Sequence, residues 1–127
     1  MKQKVNFSHN SIFKKDINVV KKILKSGWLT HGKYTSKFEE EFSRFVNAKY
    51  SVTVSSCTAG LHLSCLALNI KKGDEVILPA MSHTATSHAI EYTGAKPIFI
   101  DIENPSGNIN ADLIEKKITK KTKAIIV

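Results

Sequence analysis

The stretch from Ser51 to Asp101 limits what this chain can become more than any other, because runs of strand length alternate there with runs of helical spacing. Ser51-Val-Thr-Val-Ser55 is short and β-branched. It passes through the small residues Ser56-Cys-Thr-Ala-Gly60 into Leu61, Cys65 and Leu68, which recur at helical spacing. A strand that feeds a helix through such a turn leaves backbone N–H groups unpaired at the positive end of the helix dipole, where an anion can settle. Ser56 and Thr58 add hydroxyls, although serine and threonine at a helix start also serve as plain caps. The turn alone leaves both readings open.

The alternation continues. Lys71-Lys-Gly-Asp74 is a turn into a strand, Glu75-Val-Ile-Leu78, that ends at Pro79, and the spacing predicts a helix from Thr84 to Tyr92 closed by Gly94. Pro97-Ile-Phe-Ile-Asp101 reads as the next strand, Asn110 to Ile118 as a helix capped by Asn110, and Lys123-Ala-Ile-Ile-Val127 as a fourth strand. Strand and helix in turn predict an α/β fold with right-handed parallel crossovers. His83 then lies just past a strand terminus, at the carboxyl edge where open α/β sheets bind ligands. A histidine near a helix start is also an ordinary cap or surface residue. A parallel strand is normally buried on both faces and leads into a loop at the ligand edge, so the chain is expected to be the N-terminal part of something longer.

The residues before Ser51 are organised differently. Between Phe7 and Lys25, the residues Ile17, Val20, Ile23 and Leu24 give a one-faced pattern that predicts a helix ending near Gly27. Trp28-Leu-Thr-His-Gly-Lys-Tyr34 breaks the period and reads as a loop, either a ligand contact or a connector, with Gly32 supplying backbone freedom. Ser36 and Glu39 have capping-box spacing, and Phe38, Phe42, Phe45 and Val46 follow on one face, which predicts a helix docked by an aromatic stripe.

Composition narrows the function classes. With 42% hydrophobic and 24% charged residues over 127 positions, the chain is long enough for one domain with a real core. No segment approaches the roughly 20 apolar residues of a membrane span, and Met1 to Phe7 lack the apolar centre of a signal peptide, so a cytoplasmic location is expected. Cys57 and Cys65 make neither a disulfide framework nor a paired metal-ligand set. Cys57 is a candidate nucleophile at a helix start or, more simply, a small residue in a tight turn. The net charge of +8 comes from 19 basic residues of which only Arg44 is arginine, and lysine pairs scattered at element ends make a solvated surface rather than a nucleic-acid site.

Several motifs together resemble the sugar aminotransferases of the DegT/DnrJ/EryC1/StrS group, from about Ile12 to Val127. Gly27-Trp-Leu-Thr-His-Gly32 with Phe38-Glu39 is similar to the family's opening loop and helix, and Ser56-Cys-Thr-Ala-Gly-Leu61 to its Ser-Gly-Thr-Ala-Ala-Leu turn. Gly73-Asp-Glu-Val76, Gly94-Ala-Lys-Pro-Ile-Phe-Ile-Asp101 and the run from Thr119 to Val127 match the approaches to the later strands. Cys57 and Gly60 stand where the family usually has glycine and alanine.

The resemblance implies the first part of the large pyridoxal 5'-phosphate (PLP) domain of fold type I aminotransferases, a mostly parallel sheet with flanking helices, incomplete here. Residues 1–35 are the expected N-terminal helix and substrate-side loop, and 36–127 the opening of the PLP domain. It puts Ser56, Cys57, Thr58 and Ala59 at the cofactor phosphate, and His83 where the family has an aromatic residue stacked on the pyridine ring. Thr30, His31 and Lys33 fall at the sugar nucleotide. The implied reaction moves an amino group, commonly from glutamate, to a nucleotide-diphosphate keto-sugar in a homodimer. The family's aspartate at the pyridine nitrogen and its cofactor-binding lysine match nothing within these residues, so the 127-residue chain is expected to be inactive by itself. A related PLP-dependent sugar dehydratase and a non-catalytic phosphate-binding module are the alternatives.

Overall fold

Three strands of the predicted alternation do close into a parallel sheet. A computed structural model describes residue 8 and residues 10–127, which fall into two compact units divided between Thr53 and Val54. In the second unit, β1 (Glu75–Pro79) lies between β2 (Lys96–Ile100) and β3 (Thr122–Ile125), all parallel. Ile77 is level with Ile98 on one side and Ile125 on the other. The β1–β3 register slips by one residue between Glu75 and Val76, and Thr119 donates its hydroxyl to the Glu75 carboxylate 2.6 Å away, tying the approach to β3 onto the start of β1.

β1 is central because its sequence is apolar on both faces. Val76, Ile77 and Leu78 are all buried, and each contributes roughly 1.5–3 kcal/mol of transfer free energy. Val76 and Leu78 share a core with Cys65 of α3 (Cys57–Ala67), Ile90 of α4 (Thr84–Glu91), Ile70 and Ala95, with Ala124 and Ile126 packed against it. Burial pushes the Cys65 thiol above its usual range, so it stays protonated and acts as a small apolar filler. The helix stops are the expected ones: Gly94 has φ +79° and its N–H reaches the Glu91 carbonyl, and the turn before β1 closes by Lys71 N–H donating to the Asp74 side chain.

Two elements differ from expectation here. Residues 51–55 are not a strand: among the described residues they join no ladder, Val52 is 79% exposed, and the Thr53 amide is taken by a glutamate side chain. A β-branched run becomes a strand only when a neighbouring edge pairs with it. The predicted helix at Asn110–Ile118 is two 3-10 turns, Ala111–Leu113 and Glu115–Lys117. A segment this short closes i→i+3 bonds more readily than it pays the nucleation cost of an α-helix. Asn110 does cap it, its side chain accepting from the Asp112 N–H at 3.0 Å.

The first unit carries α1 (Lys14–Ser26) and α2 (Lys33–Phe45). α1 ends at Gly27, in the left-handed region at φ +70°, as its sequence predicts; the part of the predicted helix at Phe7 lies outside the described residues, as do Met1 to Phe7 as a whole. The helix starts at Lys14, where the Asp16 carboxylate accepts from the Phe13 N–H at 2.8 Å.

α2 begins four residues earlier than a cap at Ser36 would require, with Gly32 as its N-cap, so Lys33 and Tyr34 are helical rather than loop and Ser36–Glu39 is no capping box. Glu39 instead accepts from both the N–H and the hydroxyl of Thr53, each at 2.8 Å. The aromatic stripe is not core either. Phe38, Phe42 and Phe45 are exposed, and only Ser43 of α2 is buried. Periodicity sets which side chains share a face; it does not supply the surface that covers them. No helix among the described residues is long and apolar enough to cross a membrane.

Candidate functional site

The expected site residues fall in two places, one in each unit. In the second unit, Ser56 is the N-cap of α3 and its hydroxyl accepts from the Ala59 N–H at 3.1 Å, while its carbonyl takes the Gly60 N–H. That leaves the amides of Cys57 and Thr58 as the open donors of the first turn. The turn has no acidic side chain, Cys57 is exposed and Thr58 half-buried. Two free N–H groups, a threonine hydroxyl and the positive end of a helix suit a phosphate. Ser56 itself is spent as a cap.

His83 stands where its sequence position predicts, four residues past the end of β1, and it is the N-cap of α4. Its Nδ1 accepts from the Ala85 N–H at 3.1 Å, which puts the proton of the neutral ring on Nε2 and fixes the ring's direction. With Pro79, Ser82, Ser87 and Phe99 it lines a cleft of about 160 Å³ at the carboxyl end of β1. Beneath it the hydroxyls of Ser82 and the buried Thr86 are 2.9 Å apart, a pairing that sequence reasoning missed. The Ser56–Ala59 turn does not line this cleft.

In the first unit, Ile23, Trp28, Leu29, His31, Lys33 and Tyr34 help to line a larger cleft of about 500 Å³. The structure thus brings His31 and Lys33 together but keeps Thr30 off the wall. The Thr30 carbonyl accepts from the Trp28 indole N–H at 2.6 Å. Gly32 is needed for space rather than for backbone freedom: its φ is an ordinary −90°, but a Cβ there would lie 2.8 Å from Trp28 Cδ1. His31 carries the unusual backbone, at φ +43°. The sequence offered the whole loop from Trp28 to Tyr34 as a ligand contact or a connector, and the family resemblance named Thr30, His31 and Lys33 within it; neither pointed to the packing of Gly32 against Trp28.

The model of the DegT/DnrJ/EryC1/StrS aminotransferase family matches residues 10–127. GDP-perosamine synthase of Escherichia coli O157:H7 is 44% identical over 117 residues, which is 91% of this chain and 32% of that protein. A protein from Streptococcus pneumoniae assigned as a sugar aminotransferase and solved in a PLP form has a TM-score of 0.90 at 38% identity, over 95% of this chain and 31% of its own. A GDP-4-keto-6-deoxymannose-3-dehydratase, solved with a trapped PLP-glutamate geminal diamine, has a TM-score of 0.89 at 29% identity, over 96% of this chain and 33% of its own. The chain spans about a third of the length of each of these proteins. Since the family match runs over nearly every residue, through both units and the Ser56 turn, this chain belongs to the DegT/DnrJ/EryC1/StrS aminotransferase family.

Proposed function

We propose that this chain is the opening part of a cytoplasmic, PLP-dependent enzyme that transfers an amino group, from glutamate, to a nucleotide-linked keto-sugar, and that the enzyme works as a homodimer. Residues 1–35 serve the substrate side and 36–127 begin the cofactor domain. The observation that carries the reading is the first turn of α3, where two open amides, the Thr58 hydroxyl and no carboxylate await an anion in a chain of this family.

When bound, PLP supplies an electron sink for charge that develops beside the nitrogen of the amino donor. The residues of this chain hold and orient it. The N–H groups of Cys57 and Thr58 and the Thr58 hydroxyl take the phosphate, with Ala59 leaving room, while Ser56 keeps the turn in shape through its bond to the Ala59 N–H. His83, anchored through Nδ1, offers its ring to the pyridine face. Thr30, His31 and Lys33 meet the sugar nucleotide. The lysine that binds the cofactor aldehyde and moves the proton is assigned outside residues 1–127, so the 127-residue chain is inactive alone.

The test is cofactor affinity in the polypeptide that carries this chain. Thr58→Ala removes a hydroxyl from a charged acceptor and is expected to weaken PLP binding by about 1.5–3 kcal/mol, read by cofactor absorbance. His83→Ala is expected to weaken it by about 1 kcal/mol. An affinity unchanged in Thr58→Ala would refute the phosphate assignment, and a polypeptide that retains no cofactor absorbance after dialysis would favour a non-catalytic phosphate-binding module.

The likeness to the dehydratase favours one second reading, a sugar dehydratase built on the same cofactor site. Product analysis separates the two, because an aminotransferase yields an amino sugar and consumes one glutamate for each.

A further inference from the structure

We infer that Thr86 is a positioning residue for the cleft of the second unit: it donates its hydroxyl proton to Ser82, and the Ser82 hydroxyl, held in that way, donates to an acceptor oxygen of the ligand on the His83 ring. The inference rests on the proposal that this ligand is PLP, and it gives a role to two residues that the proposal leaves without one.

The direction of the pair follows from burial. Ser82 Oγ and Thr86 Oγ1 are 2.9 Å apart, and by geometry alone either could donate. Thr86 is buried, and among the described residues its hydroxyl has no partner except Ser82. Were Thr86 the acceptor, its own proton would be shut away from water with nothing to receive it, and an unmet buried donor is costly. Thr86 therefore donates. Ser82 accepts, and its own proton is left over.

That proton is on the open side. Ser82 is exposed and lines the cleft of about 160 Å³ at the carboxyl end of β1, next to His83. Ser87 lines the same cleft, but its hydroxyl is spent on the Thr84 carbonyl at 2.9 Å. No carboxylate is in the lining, and His83 Nδ1 already takes the Ala85 N–H, so the acceptor for Ser82 comes from the ligand. Thr86 also holds the neighbouring residue, since its N–H donates to the His83 carbonyl at 2.9 Å. One buried side chain thus steadies the donor, and its backbone steadies the ring. A hydroxyl anchored from below gives up little freedom when a ligand arrives, and a hydroxyl that accepts one hydrogen bond donates the next more strongly.

The experiment measures PLP affinity by cofactor absorbance in the polypeptide that carries this chain. Four variants are compared with the wild type: Thr86→Val, Thr86→Ser, Ser82→Ala and the double variant Ser82→Ala/Thr86→Val. Thr86→Val and Ser82→Ala are each expected to weaken PLP binding about tenfold, and Thr86→Ser, which keeps the hydroxyl, to bind as the wild type does. The double variant is expected to be no weaker than Ser82→Ala, because Thr86 acts through Ser82. A Thr86 that only packs would give the reverse pattern, with Thr86→Val tolerated and Thr86→Ser weakened, and that result overturns the inference. Losses that multiply in the double variant overturn it as well. Should Thr86→Val not fold, PLP affinity unchanged in Ser82→Ala, a substitution at an exposed position, overturns it. A wild type that holds no PLP sinks the aminotransferase reading and this inference together, whereas a wild type that holds PLP with an affinity indifferent to both hydroxyls sinks this inference alone.

Discussion

Leu78 and Phe45 are both large apolar side chains placed by clear periodicity, yet Leu78 is 1% exposed and Phe45 is 86% exposed. The contrast holds for their units. From Val54 onward, strands and helices supply both layers of a core, so Val76 and Leu78 of β1 meet Cys65 of α3 and Ile90 of α4. Up to Thr53, two amphipathic helices follow one another, and of their residues only Ser43 is buried. An alternating strand–helix pattern carries its own partner within it. An amphipathic helix states only that it needs one.

The largest expected effect breaks or upholds this contrast directly. In the 127-residue chain, Leu78→Ala should lower unfolding stability by about 2–5 kcal/mol, since it opens a cavity in a closed core. Phe45→Ala should change it by no more than about 0.5 kcal/mol, as surface substitutions do. Urea denaturation of the two variants is the comparison, and equal costs would mean that the Phe45 face is covered in solution.

Two glycines of the first unit sharpen it next. Gly32→Ala should cost about 1–3 kcal/mol, because its Cβ meets the Trp28 ring at 2.8 Å, and should also shift the Trp28 emission as the ring is displaced. At Gly27 nothing lies within 4 Å of an added Cβ, and the cost of Gly27→Ala, about 1 kcal/mol, comes only from φ +70°, with no change in emission. A silent Gly32→Ala would remove the packing that fixes Trp28.

What the sequence made legible follows the same line. The helix from Cys57, the caps at Ser56 and Asn110 and the stops at Gly27 and Gly94 depend on neighbours a few residues away, while the parallel strands at Glu75–Pro79 and Lys96–Ile100 pair far along the chain but are marked by their place in the strand–helix alternation; each stands where residue type and spacing predict it. The misses depend on partners that local pattern does not name. Ser51–Ser55 has the composition of a strand but joins no ladder among the described residues, and Phe38, Phe42 and Phe45 share a face that stays exposed. Of the candidate site, the Ser56 turn was readable as the start of a helix and the position of His83 as the end of a strand and the start of a helix; the grip on Trp28 was not, because it is a contact between a ring and a missing Cβ.

Capping gives a smaller effect. α3 has a side-chain cap in Ser56 and α2 has none, since Gly32 takes that position. Ser56→Ala should cost about 1 kcal/mol and lower the hydrogen-exchange protection of Ala59, whose N–H it releases. Protection of the Ala59 amide that survives the substitution would show that the cap contributes nothing to the turn.

The smallest effect is local and tests how the first unit is held where apolar burial is lacking. The Glu39 carboxylate accepts from the Thr53 N–H and hydroxyl, and these bonds, the backbone one foremost, hold its pKa below the usual 4.5, with the charge of His31 adding to the same direction. Its folded value is depressed, so its contribution is present above the unfolded value and is lost as pH falls through the folded one. The Thr53 amide signal should therefore titrate with a midpoint below 4.5. In Glu39→Gln, whose side-chain oxygen still accepts but does not ionise, the Thr53 signal should stay near its neutral-pH position with no step at low pH. A midpoint at the usual glutamate value, or the same step in the Gln variant, would dissolve the clamp and leave the bond from the Ser51 hydroxyl to the Glu39 carbonyl to hold residues 51–53.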